Sequence, residues 1–139
     1  MIFFKNADIT IYNKYYDIKN DIERYQRTII EGVDWQSTKN VKINNSTTDK
    51  GLNRDYSILI FLDKLDNYIG PKKFNKLSDK ERMEYFTLKP GDYIVKGVID
   101  FEVTGIKPNN IATLKEEYDD VYIIVGIKEC DSHWEVECK

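Results

Sequence analysis

The chain has 139 residues, 41% of them hydrophobic and 32% charged, which predicts one folded domain over residues 1–139 and excludes an intrinsically disordered chain. The net charge is −3, and the longest basic run is the pair Lys72 and Lys73, so the composition argues against a surface that binds nucleic-acid phosphates. The apolar run that precedes Lys5 is too short for a signal peptide or a membrane span, which predicts synthesis in the cytosol and no membrane association.

The first predicted elements are two strands that form an N-terminal hairpin. Apolar and polar residues alternate at residues 9–12 and, more loosely, at residues 23–35, and a period of two is typical of strands. Residues 17–21 between them are polar and turn-like. Gly32 inside the second strand predicts a bulge or a bend, because glycine adopts backbone angles that other residues avoid.

The middle of the chain predicts one buried strand between two polar segments. Residues 36–55 predict a long loop, in which Val41 and Ile43 could form only a short strand. Residues 56–62 are almost continuously apolar, as in a strand that is buried on both faces. Residues 63–87 then predict an insert in the domain.

The insert is predicted to be an arm that carries one short helix. Residues 63–70 predict a turn or a small hairpin, after which Pro71 restarts the chain. Ser78 and Glu81 have the spacing of a capping box, in which each side chain bonds the backbone N–H of the other residue. This pattern predicts a helix of about two turns that ends at residue 85 or 86.

The second half of the chain predicts more strands and a second short helix. Pro90 and Gly91 predict a type II turn, followed by strands at residues 93–97 and 98–103 with a bend at Gly97. The later elements are a short helix capped at Asn109 or Asn110 with Ile111, Leu114 and Tyr118 on one face, a strand at 121–127, a turn at 129–132 and a strand at 133–138. The fold class is therefore predicted to be mainly β, a small six- or seven-stranded barrel or sandwich with an inserted arm and two short helices.

Cys130, His133 and Cys138 raise the hypothesis of a metal site near the C-terminus. Three candidate ligands are fewer than the four that a structural zinc site uses. A hairpin turn centred near Asp131 places Cys138 opposite residue 124, which separates the two sulfurs by about 20 Å at about 3.3 Å per residue. That separation excludes a disulfide and argues against a shared metal, so we predict no metal ligand and a buried, apolar Cys138.

His133 is the only histidine, so any nucleophile–histidine–acid catalysis would need it. Asp131 and Ser132 are adjacent in sequence, but neighbouring residues on a strand point to opposite faces and do not form a triad by adjacency. The sequence contains no nucleophile elbow, phosphate-binding loop or dinucleotide fingerprint. We predict no catalytic or cofactor-binding residue and no enzyme activity, while a hydrolase that uses His133 with Asp131 or Asp92 stays open as an alternative.

Aromatic and acidic side chains are predicted to contact protein partners. Aromatic residues in polar surroundings often anchor protein interfaces, and the alternative for each is partial burial against the barrel. The predicted aromatic anchors are Tyr15, Tyr16, Tyr68 and Phe74. The predicted acidic contacts at the end of the second helix are Glu116, Glu117, Asp119 and Asp120. Because a helix C-terminus is already partially negative, this run is either a solvated face or an edge that faces a basic neighbour.

Four segments resemble small structural proteins of tailed phages and prophages of low-GC Gram-positive bacteria. They are residues 7–17 (Ala-Asp-Ile-Thr-Ile-Tyr-Asn-Lys-Tyr-Tyr-Asp), 27–35 (Arg-Thr-Ile-Ile-Glu-Gly-Val-Asp-Trp), 86–97 (Phe-Thr-Leu-Lys-Pro-Gly-Asp-Tyr-Ile-Val-Lys-Gly) and 133–136 (His-Trp-Glu-Val). The order of these segments along nearly the whole chain is similar to that in head-closure (stopper) and neck proteins.

The resemblance implies a β-barrel subunit of the virion neck, assembled in the host bacterial cytoplasm into a ring that would be a hexamer. The ring would link a connector or adaptor protein on the head side to a tail terminator or another tail protein, with DNA only as cargo in the pore. The resemblance brings no catalytic residue and no cofactor. Because a ring subunit needs two different patches, the loops at residues 36–55 and 63–77 are expected to order on assembly. The alternatives are a tail-completion or other minor virion protein, or a stand-alone barrel that binds a small ligand or an oligonucleotide.

Overall fold

The structure is a computed structural model that describes residues 4–37 and 57–139. The strands in these residues are β1 (Ala7–Asp17), β2 (Ile22–Ser37), β3 (Ile58–Asp63), β4 (Tyr93–Lys96), β5 (Val121–Glu129) and β6 (His133–Cys138). The helices are α1 (Pro71–Lys76), α2 (Asp79–Arg82) and α3 (Ile111–Glu117). The predicted short strand at Val41 and Ile43 lies outside the described residues. None of the described helices is both long and apolar enough to span a membrane.

The six strands close into one antiparallel barrel in the order β1-β2-β3-β6-β5-β4. Closure depends on β4, where Ile94 pairs with Ile11 of β1 on one side and with Tyr122 of β5 on the other. The β1–β2 hairpin is longer than the barrel wall, because β1 beyond Tyr12 pairs with β2 alone. The prediction of a mainly β fold is confirmed, and of the two predicted architectures the structure forms the barrel, with six strands.

Alternating side chains fill the inside of the barrel. Ile9 and Ile11 of β1 are fully buried in this core. Tyr12 is the next residue along the strand, and it belongs to a separate apolar cluster. Further core residues come from the other strands, from the insert and from the residue that follows the insert: Val33, Ile60, Leu62, Phe86, Leu88, Ile94, Ile124 and Val136. The period-two pattern therefore places one set of side chains inside the barrel, and these side chains fill its interior.

A second apolar cluster lies on the outer face of β1 and β4. Tyr12 and Val95 of these strands are buried there against Val103 and Leu114. Leu114 belongs to α3, which starts after the cap residue Asn110. The predicted second helix and its cap are therefore confirmed, and its apolar face covers the outside of the barrel.

Two glycines have the positive φ that the predicted bulge and the predicted turn require. Gly32 has a φ of 82°, and the pairing register between β1 and β2 shifts beside it, so the predicted bulge is present. Gly91 has a φ of 96° and follows Pro90, and the N–H of Asp92 donates to the carbonyl of Lys89 at 3.2 Å. This geometry is that of the predicted type II turn.

The prediction of a strand at residues 98–103 is wrong. Gly97 has a φ of 105° and turns the chain away from the barrel at the end of β4. The wall has no place for a further strand there, because β4 already pairs with β1 and β5. The segment instead crosses the outer face, where the hydroxyl of Tyr12 donates to the carbonyl of Phe101 at 2.6 Å.

The prediction of an irregular loop at residues 63–77 is also wrong, because this stretch contains α1. Pro71 begins the helix, which is favourable because its missing N–H needs no partner in the first turn. Besides proline, Phe74 is the only apolar residue of the helix, and it is fully buried. One apolar residue gives no periodicity, so the sequence pattern does not reveal this helix.

The predicted capping box is present, but the helix that follows it is shorter than predicted. The hydroxyl of Ser78 accepts from the N–H of Glu81, and the carboxylate of Glu81 accepts from the N–H of Ser78, both at 3.3 Å. α2 ends at Arg82, and the chain then leaves the helix. Phe86 forms a β-bridge with Tyr68 and enters the barrel core.

Candidate functional site

Arg82 fixes the insert to the part of the β1–β2 hairpin that extends beyond β4. The residue is only 5% exposed, and its guanidinium lies 4.4 Å from the centroid of the Tyr15 ring. It donates to the carbonyls of Phe74 at 3.3 Å and Leu77 at 2.6 Å, and it pairs with Asp79 at 2.7 Å. A buried guanidinium requires such partners. Tyr15, a predicted interface anchor, is therefore partly buried and contacts the insert of its own chain.

The outward face of α1 is basic, and we call its lysines the basic helix face: Lys72, Lys73 and Lys76. All three side chains are exposed, and the helix contains no acidic residue. Phe74 lies on the opposite side and has no exposed surface. The prediction of Phe74 as a surface anchor is therefore wrong, because this ring is the residue through which α1 packs on the rest of the chain.

The tip of the β1–β2 hairpin exposes two apolar side chains next to α1. Tyr16 is 52% exposed and Ile18 is 84% exposed. With Asn75 of α1 and Lys89 they line a shallow groove. Tyr16 is on the surface as a predicted anchor must be, whereas Ile18 is not among the predicted residues because one apolar residue in a turn carries no pattern.

Tyr68 is partly buried and packs against the barrel core. Its ring meets Phe86 edge-to-face with centroids 5.6 Å apart and lies 4.6 Å from the ring of Trp134. Burial raises the pKa of the Tyr68 hydroxyl above its usual value. Of the two interpretations considered for this residue, an interface anchor or partial burial against the barrel, the geometry favours partial burial.

Four exposed carboxylates lie at the end of α3, and we call them the acidic edge: Glu116, Glu117, Asp119 and Asp120. α3 is held on the outer wall by the fully buried Leu114 and by Tyr118, whose ring meets Phe101 at 6.1 Å. The acidic edge and the basic helix face thus sit on different elements, each fixed by its own contacts with the barrel.

Asp92 is a fully buried carboxylate that joins the 89–92 turn to β1. It accepts hydrogen bonds from the side chain of Asn13 at 2.8 Å and from the N–H of Lys14 at 3.1 Å, and it pairs with Lys89 at 2.9 Å. Burial raises the pKa of Asp92, and the nearby Lys89 and the hydrogen bonds act in the opposite direction. These contacts give Asp92 a structural task in the barrel wall.

Cys130, His133 and Glu135 converge on one face of the β5–β6 hairpin. Nε2 of His133 lies 3.2 Å from Oε2 of Glu135, and the Sγ of Cys130 lies 3.4 Å from the same oxygen. One ligand-type atom from each residue lies within 4.8 Å of the other two. Burial raises the pKa of Glu135, but the hydrogen bonds from His133 and Cys130 outweigh it, so this pKa lies below its usual value.

The other contacts of His133 define its surroundings. Its Nδ1 lies 3.4 Å from the hydroxyl of Ser132, and its ring packs on Phe61 of β3 with centroids 5.7 Å apart. The hydrogen bonds of Asp92 go to β1 and Lys89 and not to His133. The hydrolase alternative that pairs His133 with Asp92 therefore has no support from this geometry.

Cys138 pairs with Ile124, as the number of residues from the hairpin turn predicts, and it is fully buried. Burial raises the pKa of its thiol to about 12, which keeps it protonated and unreactive.

Glu135 is the residue that the sequence prediction missed. Residues i and i+2 of a strand share a face, so the position of His133 is the signal that could have identified it.

The fold defines a class of small closed β-barrels, which support many functions. Within that class, the chain belongs to a family of unknown function, DUF6751, whose profile matches residues 4–139 and so includes all six strands. No curated protein and no solved structure matches the chain.

Proposed function

We propose that the protein is a non-enzymatic structural subunit of a phage neck, which assembles head-to-tail with copies of itself into a ring between the head-side connector and the tail. The observation that carries the proposal is the separation of exposed charges, with three lysines on the basic helix face and four carboxylates on the acidic edge. The phage setting rests on the resemblance of residues 7–17 and 86–97 to virion proteins of that kind.

Two complementary patches on different elements are what a head-to-tail contact requires. A ring uses a heterologous interface, in which one surface of each copy binds a different surface of the next. The basic helix face lies on α1, and the acidic edge is formed by the last two residues of α3 and by Asp119 and Asp120 directly after it. Opposite charges steer two copies into this pairing, and like charges disfavour the reverse pairings.

The groove beside α1 supplies the apolar part of such a contact. Charge alone contributes little at an exposed surface, because water and salt screen it. Tyr16 and Ile18 line this groove with Lys14, Lys89 and Asn75 of α1, and burial of their exposed surface adds a hydrophobic contribution. The proposed interface on this side therefore combines an apolar centre with a basic rim.

The filled interior weighs against the alternative of a stand-alone ligand-binding barrel. Barrels of about eight strands are the smallest that enclose a small ligand. This barrel has six strands, and the inward-facing Ile11, Ile60 and Ile94 have no exposed surface. The surfaces of the molecule are thus the better candidates for its function.

Electron cryomicroscopy of the phage particle whose genome encodes this chain tests the proposal. We expect copies of the six-stranded barrel around the particle axis between portal and tail, with the basic helix face of each copy on the acidic edge of the next. Density at the end of a tail tube would support the tail-completion alternative instead. Absence of the chain from purified particles would overturn the assignment to the virion.

A further inference from the structure

We propose that Cys130, His133 and Glu135 bind one zinc ion on the outer face of the β5–β6 hairpin, with a fourth coordination position open to water. This inference does not depend on the proposed role in the neck. It rests on the way the hairpin gathers three different donor atoms, on the distances between those atoms and on the chemistry of the donor set.

Strand geometry brings the three side chains together. His133 and Glu135 are two positions apart on β6 and share its outer face, whereas Trp134 between them packs into the core. The turn at residues 131–132 returns the chain so that the N–H of Cys130 donates to the carbonyl of His133 at 2.9 Å. Cys130 and His133 therefore flank a two-residue turn, and this close spacing is common for paired zinc ligands.

Two of the three distances between the donor atoms are close to those of a tetrahedral zinc site. Zinc bonds of about 2.3 Å to sulfur and about 2.1 Å to nitrogen and oxygen, at tetrahedral angles, separate N and O by about 3.4 Å and S and O by about 3.6 Å. The corresponding distances are 3.2 Å for His133 and Glu135 and 3.4 Å for Cys130 and Glu135. The remaining sulfur–nitrogen pair lies within 4.8 Å. Two of the three pairs thus need to move apart by only about 0.2 Å.

The donor set selects a transition metal. A thiolate, an imidazole and a carboxylate suit zinc, whereas magnesium and calcium take oxygen ligands. On binding, the thiol of Cys130 releases its proton to solvent, and His133 uses the lone pair of neutral Nε2. Nδ1 of His133 faces the hydroxyl of Ser132, which supports this choice of nitrogen. Each of the three ligands is partly exposed, so an ion can reach them from solution.

The test is titration of the reduced full-length chain with Co²⁺, a spectroscopic substitute for zinc. We expect one ion per chain, intense visible bands typical of tetrahedral Co²⁺, a thiolate-to-cobalt charge-transfer band in the near ultraviolet, and loss of all these bands when Zn²⁺ is added. Cys130→Ala should abolish the charge-transfer band. Cys138→Ala removes the other thiol and is the matched control, which should keep the band.

Zinc affinity provides the second readout. His133→Ala and Glu135→Gln should each weaken zinc binding at least about 10-fold, since even changes around a metal's direct ligands weaken affinity 10- to 100-fold. Circular dichroism of each variant establishes that the barrel is still folded. A Co²⁺ spectrum without a charge-transfer band, a spectrum that Cys130→Ala leaves unchanged, or equal zinc affinity in all variants would overturn the proposed site.

Discussion

Arg82 stabilises two helices that are too short to be stable by themselves. α1 has six residues and α2 has four, and isolated helices of this length do not persist in water. The last carbonyls of a helix also lack partners within it. Arg82 supplies donors to the carbonyls of Phe74 and Leu77 and stacks on Tyr15, so one side chain both completes α1 and attaches it to β1.

Replacement of Arg82 is expected to loosen the insert and leave the barrel folded. Arg82→Ala should cost about 1–3 kcal/mol, because it removes the donor to the carbonyl of Leu77 and the stacking on Tyr15. Hydrogen exchange should become faster in α1 and α2 and change much less in β5 and β6. Lys80→Ala, an exposed change in the same helix, is the control and should alter stability by less than about 0.5 kcal/mol. Equal protection of the insert in the Arg82 variant and the wild type would contradict this role.

The residues that sequence alone locates correctly are those whose position follows from strand spacing. The distance of Cys138 from the hairpin turn determines its partner, Ile124, and this prediction is confirmed. The burial of Phe74 depends on where the insert docks, which is a contact between distant parts of the chain. Local composition does not encode such a contact, and this is why the sequence predicts an interface anchor at a ring that is fully buried.

At the scale of elements, the segment between β4 and α3 is held against β2 at Gly105. This glycine has a φ of 85°, and a Cβ atom there would overlap the carbonyl oxygen of Glu23. Gly97 has a similar φ of 105°, but an added Cβ would meet no atom within 4 Å. A substitution at Gly97 therefore measures the cost of backbone strain alone, and a substitution at Gly105 measures the cost of strain together with steric overlap.

Alanine substitutions at the two glycines should differ in their cost. Gly97→Ala should destabilise the fold by about 1–3 kcal/mol through backbone strain alone. Gly105→Ala should add a further 1–3 kcal/mol or so, because the segment must also move away from β2. Midpoints of urea unfolding measure the difference. If Gly105→Ala were no more destabilising than Gly97→Ala, the close packing of this segment on β2 would be refuted.

Elements with a strong apolar pattern are predictable here, and short or crowded ones are not. β6 alternates along its six residues and β5 begins with a nearly continuous apolar run, and the sequence predicts both strands. α1 spans six residues with one apolar side chain besides proline, which is too little for a helical period. Residues 98–103 have strand-forming residues, but β4 is already paired on both sides and the segment makes only one bridge, between Val103 and Tyr25 of β2, so tertiary structure overrides their local preference.

For the whole molecule, the sequence leaves barrel and sandwich equally open because both use the same alternation. What distinguishes them is the pairing of β1 with β4, whose partners are more than 80 residues apart in the pair Ile9 and Lys96. Such a long-range pairing has no local signal.

The candidate surfaces also differ in how far the sequence predicts them. The run of acids is visible in the sequence, whereas the basic helix face requires knowledge of α1.

The proposed ring makes a prediction about charge reversal that a purely solvated surface does not make. One variant reverses the acidic edge by Glu116→Lys, Glu117→Lys, Asp119→Lys and Asp120→Lys. The other reverses the basic helix face by Lys72→Glu, Lys73→Glu and Lys76→Glu. Each variant alone presents like charges at the contact, which disfavours assembly. In an equimolar mixture every contact between unlike variants again joins opposite charges.

Sedimentation velocity at low salt, where charges are least screened, tests the head-to-tail contact most directly. The wild type and the equimolar mixture are expected to sediment as the same closed oligomer, and each variant alone as a monomer. Assembly of either variant alone to the wild-type size, or monomers in the wild type and the mixture alike, would contradict the proposed contact.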